Sequence, residues 1–149
     1  GCAITTDVIV GFPGETEEEF NETFEFLKKV HFFETHIFPY SRRKGTIADK
    51  MPGQLTAEEK KERVRILIDL DRKESTEFRL SKVGTRSNVV IEEIKTIAGK
   101  DYYVGHTPEY VMVAIDVNKV NGNDIVGEEY EVDIVNKIND EIMEAVVIK

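Results

Sequence analysis

The stretch "TTDVIVGFPGETEEEF", residues 5–20, contains the signals for a strand, a turn and a capped helix in immediate succession. Its first part is rich in β-branched residues and is apolar on both alternations near its end. That pattern predicts a parallel strand that is buried on both faces. The segment "GFPGE" then ends the strand. Thr16 and Glu19 have the spacing of a capping box, which predicts that a helix begins directly after the turn.

A second strand is predicted for "THIFPYS", residues 35–41, after a helix of about 14 residues. Two strands joined by a helix of this length form a βαβ unit, in which the strands lie parallel. The loop that follows, residues 42–54, is basic at its start and is long enough to favour a functional role.

A second capping box, Thr56 with Glu59, predicts a long helix. Its apolar positions recur at helical spacing, and Gly84 is a plausible end point. The predicted apolar stripe consists of Val64, Leu67 and Ile68 and reaches to Phe78.

After Gly84 the pattern changes to short strands separated by turn signals such as "AGK", "NGN" and "NKIND". About five antiparallel strands in this region predict a small all-β, OB-like barrel. The predicted strands are "NVVIEEI", "DYYVGHT", "EYVMVAIDV", "DIVGEEYEVDIV" and "EIMEAVVIK". The chain therefore divides into an α/β part with a βαβα order, residues 1–83, and a β-barrel, residues 84–149.

Composition narrows the protein class. The chain has 149 residues, of which 40% are hydrophobic and 33% charged, so folded domains are expected. No apolar run reaches the ~20 residues of a membrane span, which predicts a cytoplasmic protein without a membrane partner. Cys2 is the single cysteine, which excludes an internal disulfide framework and a cysteine-only metal site.

The net charge of −9 is concentrated in the predicted barrel. Residues 85–149 carry 13 Asp and Glu against 6 Lys and Arg, whereas residues 1–84 carry 16 against 14. An acidic domain does not indicate nucleic-acid binding by its charge. The better candidates for phosphate contacts are Arg42, Arg43 and Lys44 in the long loop, with a solvated loop as the alternative interpretation.

Two parallel strands and two helices are too few to form an independent parallel sheet, because such sheets need cover on both faces. The α/β part is therefore predicted to be the last portion of a larger barrel or sheet. Its binding edge is expected at the carboxyl ends of the strands, "GFPGE" and "FPYSRRKG". The alternative is that "GFPGE" is a tight connection without a ligand.

These segments carry a resemblance. The string "TTDVIVGFPGETEEEF", followed by "FPYSRRKGT" and "KMPGQ", resembles the C-terminal third of the radical S-adenosylmethionine domain of the methylthiotransferases. The segment "VGHTPEYVMV" resembles part of the TRAM domain that follows in that family. "FPYS" with two basic residues and "GT", together with "GHTPEYV", is most similar to the branch that acts on threonylcarbamoyladenosine in tRNA.

The resemblance implies that the full-length enzyme binds S-adenosylmethionine and 4Fe-4S clusters and inserts a methylthio group at an adenosine beside the anticodon. It implies that Ile9 and Gly11 flank the cofactor adenine and that Phe38 and Tyr40 border the same pocket. The TRAM-like barrel is expected to bind the tRNA, and Tyr103 and His106 are candidates for contacts with RNA. The alternative interpretation of the barrel tyrosines is that they are half-buried structural positions.

The cysteine motif of that family is missing from this chain, and a cluster needs three or four thiolates. The chain alone is therefore expected to bind no cofactor and to lack catalytic and metal-ligating residues. His31 and His36 have no partner at metal-ligand spacing. Asp7 lies in a strand that should be buried, so we expect it to be hydrogen-bonded, with a polar role in the larger barrel as the alternative.

Two other functions stay open at this point. The barrel could be a stand-alone module that binds RNA or protein without catalysis. Alternatively, "GFPGE" could be a phosphate loop, although it lacks the P-loop lysine and the GxGxxG pattern. Unpaired sheet edges would also permit a homodimer.

Overall fold

A computed structural model describes residues 2–120 and 125–148. The chain forms two compact units, and the first of them is Ile4–Ser75. It contains a parallel strand pair and a short 3₁₀ turn at Ala48–Lys50 in the long loop. Its elements in chain order are β1 (Thr5–Val10), α1 (Glu17–Val30), β2 (Glu34–Pro39) and the first part of α2 (Ala57–Leu80).

One face of the β1–β2 pair packs on the helices, and the other face is exposed. The covered face includes Val8 and Val10. The exposed face includes Asp7, whose register partner is His36, and Ile9, whose partner is Phe38. The prediction that β1 is buried on both faces is therefore wrong in this unit, because both helices lie on one side. For the same reason Asp7 is exposed and carries no burial cost. The core consists of Val10, Phe20, Leu27, Leu67 and Leu70.

Both predicted capping boxes are confirmed. At the start of α1, Glu19 N–H donates to Thr16 Oγ1 at 3.2 Å, and Thr16 N–H donates to the Glu19 carboxylate at 2.8 Å. Thr56 and Glu59 repeat the arrangement at 2.8 and 3.1 Å before α2. The backbone N–H of Thr56, with help from its hydroxyl, lowers the pKa of Glu59. The predicted length of about 14 residues for α1 is also correct.

The apolar stripe of α2 differs from the prediction. Leu67 is buried as expected, but Ile68 is exposed and Leu70 is buried instead. A residue three positions after Leu67 stays on the same side of a helix, whereas the next residue turns away from it. Arg63, four positions before Leu67, lies on this buried side although it is charged.

The second unit begins at Thr76 and contains a closed five-stranded barrel. Its order is β3-β4-β5-β7-β6, and β3 pairs with both β4 and β6. Five strands and a barrel are as predicted, but the expectation that all pairs are antiparallel is wrong. Neighbours cannot alternate in direction around a ring with an odd number of strands, and here β5 and β7 are parallel. The strands are β3 (Arg86–Ile97), β4 (Lys100–His106), β5 (Met112–Asp116), β6 (Glu129–Lys137) and β7 (Ile142–Val147).

Inward-facing aliphatic side chains fill the barrel, together with Tyr103, which is only 7% exposed. Gly105 lies opposite Ile91, where β3 contains a register shift. A Cβ on Gly105 would lie 1.9 Å from the Val90 carbonyl oxygen, so the close strand approach requires glycine there. The predicted "NGN" turn and the first residue of "DIVGEEYEVDIV" lie outside the described residues.

Candidate functional site

A hollow of about 490 Å³ lies at the carboxyl ends of β1 and β2. Three residues predicted to border a cofactor line it together: Ile9, Phe38 and Tyr40. Ile9 is 60% exposed and Phe38 is 51% exposed, so the hollow presents apolar surface to solvent. Phe12 adds a ring packed edge-to-face against Tyr40, with centroids 5.3 Å apart. Hollows of this size and lining are typical of sites for small organic ligands.

Gly11 is the fourth predicted cofactor residue, and the structure gives it a supporting position. It has a positive φ of 71° and is buried. Its N–H donates to the Glu15 carboxylate at 2.9 Å. A Cβ at Gly11 would lie 2.3 Å from Lys60 Cγ, so the α2 side chain occupies the space beside the turn. Gly11 therefore shapes the rim of the hollow and is not among its lining residues.

Arg63 fixes this turn from α2. It is 8% exposed, forms an ion pair with the Glu15 carboxylate, and donates to the Glu15 carbonyl at 3.2 Å. Its guanidinium also lies 5.2 Å from the centroid of the Phe20 ring. Because the same carboxylate accepts from Gly11, the ion pair connects α2 to the end of β1.

Three backbone N–H groups of "GFPGE" are hydrogen-bonded within the protein. Gly14 N–H donates to the Gly53 carbonyl at 2.8 Å, and Glu15 N–H donates to the Phe12 carbonyl at 2.9 Å. With Gly11 N–H bound to a carboxylate, these amides are not available to a phosphate. The geometry therefore argues against the phosphate-loop interpretation of this turn, since such loops hold an anion with several free N–H groups in succession.

Lys60 connects α2 to the end of β2. Its Nζ donates to the Tyr40 carbonyl at 3.1 Å, and Tyr40 N–H donates to the Val10 carbonyl at 2.8 Å. The Tyr40 hydroxyl is buried and has no hydrogen-bond partner among the described residues. A buried hydroxyl without a partner is costly, which marks this atom as a candidate ligand donor or acceptor.

The basic loop residues have different surroundings. Arg42 donates to Asp49 through Nε at 2.9 Å and to the Asp49 carbonyl at 2.8 Å, so it closes the loop on itself. Arg43 lines the hollow, and Lys44 is exposed. Among the three basic residues predicted to contact phosphates, Arg43 and Lys44 are therefore the more available pair.

In the barrel, the two predicted RNA contacts also differ. Tyr103 is part of the core, which agrees with the alternative interpretation and leaves no exposed ring face for stacking. His106 is partly exposed, and its Nδ1 lies 2.8 Å from a Glu92 carboxylate oxygen. Its ring stacks on Tyr110, with centroids 4.9 Å apart.

Sequence reasoning missed Lys60 and Arg63. The two α2 residues lie in a mixed-charge segment that is typical of a solvated helix face. A signal for Arg63 was present, because it lies four residues before buried Leu67 at helical spacing.

Among residues 2–120 and 125–148, no group of three or more His, Cys, Asp or Glu side chains could hold a metal ion. In the same ranges, no helix combines the length and apolarity needed to cross a membrane.

Comparison with known proteins places the chain in a family. The threonylcarbamoyladenosine tRNA methylthiotransferase MtaB of Bacillus subtilis is 44% identical over 114 residues, which cover 76% of this chain and 25% of that relative. The tRNA-2-methylthio-N(6)-dimethylallyladenosine synthase of Acetivibrio thermocellus is 35% identical over 91% of this chain and 25% of its own length. The chain belongs to the methylthiotransferase family. It spans about a quarter of the length of these curated methylthiotransferases.

A third methylthiotransferase relative has a protein substrate in its name. The ribosomal protein uS12 methylthiotransferase RimO of Carboxydothermus hydrogenoformans is 42% identical over 70% of this chain and 23% of that relative. No protein-family model matches the chain. One solved structure, a multidomain protein with nucleic acid binding domains from Streptococcus pneumoniae, has a TM-score of 0.38 at 8% identity over 46% of this chain and 23% of its own. That likeness is too low to support an argument.

Proposed function

We propose that this chain is part of a cytoplasmic radical S-adenosylmethionine enzyme that methylthiolates threonylcarbamoyladenosine next to the anticodon of tRNA. In this proposal the α/β unit supplies one wall of the cofactor pocket, and the barrel is a TRAM domain that binds RNA. The observation that supports it most directly is the hollow at the strand ends, because it lies where the family resemblance predicts the cofactor. The relatives named as tRNA methylthiotransferases support the substrate class.

The residues of the hollow fit S-adenosylmethionine. An adenine ring is flat and apolar on its faces, and Ile9 and Phe38 present apolar surface at a shared register position. The buried Tyr40 hydroxyl offers an unused hydrogen-bonding group beside them. Bound there, S-adenosylmethionine would supply the methyl group and the radical chemistry of the reaction. The role of this chain is to orient it, and Lys60 and Arg63 hold the two strand ends in place for that purpose.

The residues do not fit a 4Fe-4S cluster. Cluster ligation requires three or four thiolates, and the sequence contains one cysteine. Cys2 is exposed, and no metal-holding group is found among the described residues.

The basic loop supports a role in binding tRNA. Arg43 is exposed and lines the hollow, and Lys44 is the next residue of the same exposed loop. Cations placed next to a reaction site can hold the phosphates that flank the target nucleotide. Because the barrel is acidic, it would contribute little to backbone attraction. In the proposal, the loop supplies phosphate contacts and the barrel supplies contacts to bases.

A chimeric enzyme tests this function. The segment of Bacillus subtilis MtaB that corresponds to this chain is replaced by residues 1–149, and the chimera is produced in cells that lack the native gene. Mass spectrometry of digested tRNA then measures 2-methylthio-threonylcarbamoyladenosine. We expect the modified nucleoside to return. A soluble chimera with normal cluster content that leaves this nucleoside unmodified would contradict the proposal, and appearance of the dimethylallyladenosine product instead would reassign the substrate.

The same chimera tests the loop. Arg43→Ala with Lys44→Ala should weaken tRNA binding and reduce the slope of log K against log salt by about 2, since each phosphate contact contributes about one unit. Arg42→Ala is the matched control, because Arg42 is already paired with Asp49 and should change the slope less. An unchanged slope in the double variant would place the phosphate contacts elsewhere.

A further inference from the structure

The barrel contains a second hollow, about 170 Å³ in volume, whose lining shares no residue with the first. Its lining combines an apolar part, Val90 and Pro108, with a polar part, Asn88, His106 and Glu129. None of its lining residues is a lysine or an arginine. A site of this composition is unsuited to a phosphate, because an anion would face a carboxylate without a compensating cation.

The rings of His106 and Tyr110 form a pair at the edge of this hollow, since His106 is also one of its lining residues. The Tyr110 ring lies against His106 with an interplanar angle of 29° and is 69% exposed. Tyr110 has a φ of 66°, an uncommon conformation for a bulky residue. A tight turn between β4 and β5 holds it there. Tyr110 N–H donates to the Thr107 carbonyl at 2.8 Å, and Val111 N–H donates to the Thr107 hydroxyl oxygen at 3.3 Å.

Glu92 fixes the orientation of the histidine. An ionised carboxylate can only accept, so His106 donates through Nδ1 to Glu92 across 2.8 Å. In the neutral ring, Nε2 is then an acceptor. The neighbouring Glu129 carboxylate is a second acceptor, and it is held by the Asn88 amide at 2.8 Å. The polar side of the hollow is therefore rich in acceptors.

We propose that this hollow, with the Tyr110–His106 ring pair at its edge, binds an unpaired RNA base that carries an exocyclic amino group, which includes adenine, cytosine and guanine and leaves out uracil. Carboxylates accept from the cytosine amino group, and an asparagine amide can bind adenine through N6 and N7. Stacking on aromatic side chains is the usual way in which proteins hold unpaired bases. The inference rests on the proposed function, because it assigns a base contact to the barrel of a tRNA-binding protein.

This assignment explains how an acidic barrel can bind RNA. Stacking and base-edge hydrogen bonds do not require the protein to attract phosphates, so a local net negative charge is tolerable. A weak dependence on salt follows, in contrast to the dependence expected from Arg43 and Lys44.

The test measures binding of fluorescein-labelled RNA nonamers to the full 149-residue chain by fluorescence anisotropy. Adenosine and cytidine nonamers should bind at least about fivefold more tightly than the uridine nonamer, which has no exocyclic amino group. Tyr110→Gly, which keeps the positive φ accessible, should weaken adenosine binding about tenfold. Tyr110→Phe keeps the ring and should stay within about twofold of the original chain.

Glu129→Gln should reduce the preference for adenosine and cytidine over uridine. Glu141→Gln is its control, because it removes the same charge from an exposed barrel residue outside the lining of the hollow. Thermal unfolding of every variant checks that the barrel remains folded. Equal affinity for all three nonamers, or unchanged binding by Tyr110→Gly, would overturn the inference.

Two further outcomes separate this inference from the proposed function. If the chain binds a tRNA anticodon stem–loop but Tyr110→Gly binds it equally well, the base site is wrong and tRNA binding stands. If a basic nonapeptide binds the chain and displaces the adenosine nonamer at lower concentration, the acceptor-rich hollow is a cation site, and the inference is overturned. The chimera experiment decides the proposed function independently of both.

Discussion

At the scale of single residues, Gly11 and Gly14 of the same turn distinguish the cost of a strained backbone conformation from the cost of a packing overlap. Gly11→Ala and Gly14→Ala both place an alanine at positive φ, 71° and 85°, which costs about 1 kcal/mol. Only at Gly11 would the new methyl overlap a side chain, Lys60. We therefore expect Gly11→Ala to lower the free energy of unfolding by clearly more than Gly14→Ala, as measured by urea denaturation.

A double variant checks the cause. Lys60→Ala removes the overlapping atoms, so Gly11→Ala should cost less in that background than in the original chain. Strict additivity of the two changes would show that the overlap with Lys60 does not contribute.

Asp116 gives the chain a predictable response to acid. The Lys100 ammonium lies 2.6 Å from it, and this contact, followed by the Asn118 N–H, lowers the pKa of Asp116 from 3.8 to about 2. Because the folded-state pKa is depressed, the stabilisation is present above about pH 4 and is lost as the pH falls toward 2. Asp116→Asn should therefore reduce the loss of thermal stability between pH 4 and pH 2.

The matched control for this prediction is Asp133→Asn. Asp133 is also paired with a cation, Arg86 at 3.1 Å, but both side chains are substantially exposed. Asp133→Asn should therefore leave the acid dependence of the melting temperature nearly unchanged. An acid transition that is the same in Asp116→Asn and in the original chain would assign the response to other carboxylates.

At the scale of elements, side chains of α2 bind the carboxyl ends of both β1 and β2. Arg63 binds the turn after β1 through Glu15, and Lys60 binds the end of β2 through the Tyr40 carbonyl. Arg63→Met should lower the free energy of unfolding by about 3 kcal/mol, because it leaves the largely buried Glu15 carboxylate without its cation. Chemical denaturation of the purified chain measures this change.

Arg65 provides the comparison on the same helix. Its pairs with Glu62 and Asp69 are exposed, so Arg65→Met should lower the free energy of unfolding much less than Arg63→Met does. If both substitutions lower the free energy of unfolding by the same amount, the contribution of the Arg63–Glu15 pair does not depend on its burial.

At the scale of the whole molecule, the β1–β2 pair leaves sheet surface and strand edges without a neighbour among the described residues. Ile9 and Phe38 present the exposed apolar part of that surface. Such edges and patches favour association, so we expect the 149-residue chain to form dimers that dissociate on dilution. Sedimentation velocity at several concentrations measures this equilibrium.

Ile9→Thr with Phe38→Thr should shift that equilibrium toward the monomer, since threonine keeps the β-branched character of a strand residue. Val135→Thr, an exposed barrel position, is the control. A chain that stays monomeric at all concentrations would contradict the predicted homodimer.

The sequence by itself determined the local elements. Capping boxes, turn glycines and strand alternation depend on neighbouring residues, so they placed α1 and the start of α2 correctly and found all five barrel strands. The bounds of the fourth barrel strand were wrong, because residues 125–128 were predicted to be part of it and precede β6 in the structure. The string of motifs also identified the family, because its residues stay recognisable without the rest of the fold.

Only the tertiary structure decided which side chains meet. The Arg63–Glu15 pair joins residues 48 positions apart, and the burial of Tyr103 and the exposure of Tyr110 depend on how the barrel closes. The parallel β5–β7 pair follows from closing a ring of five strands, which no single strand encodes. Local patterns fix conformation along the chain, whereas burial and long-range pairing depend on elements that are distant in sequence.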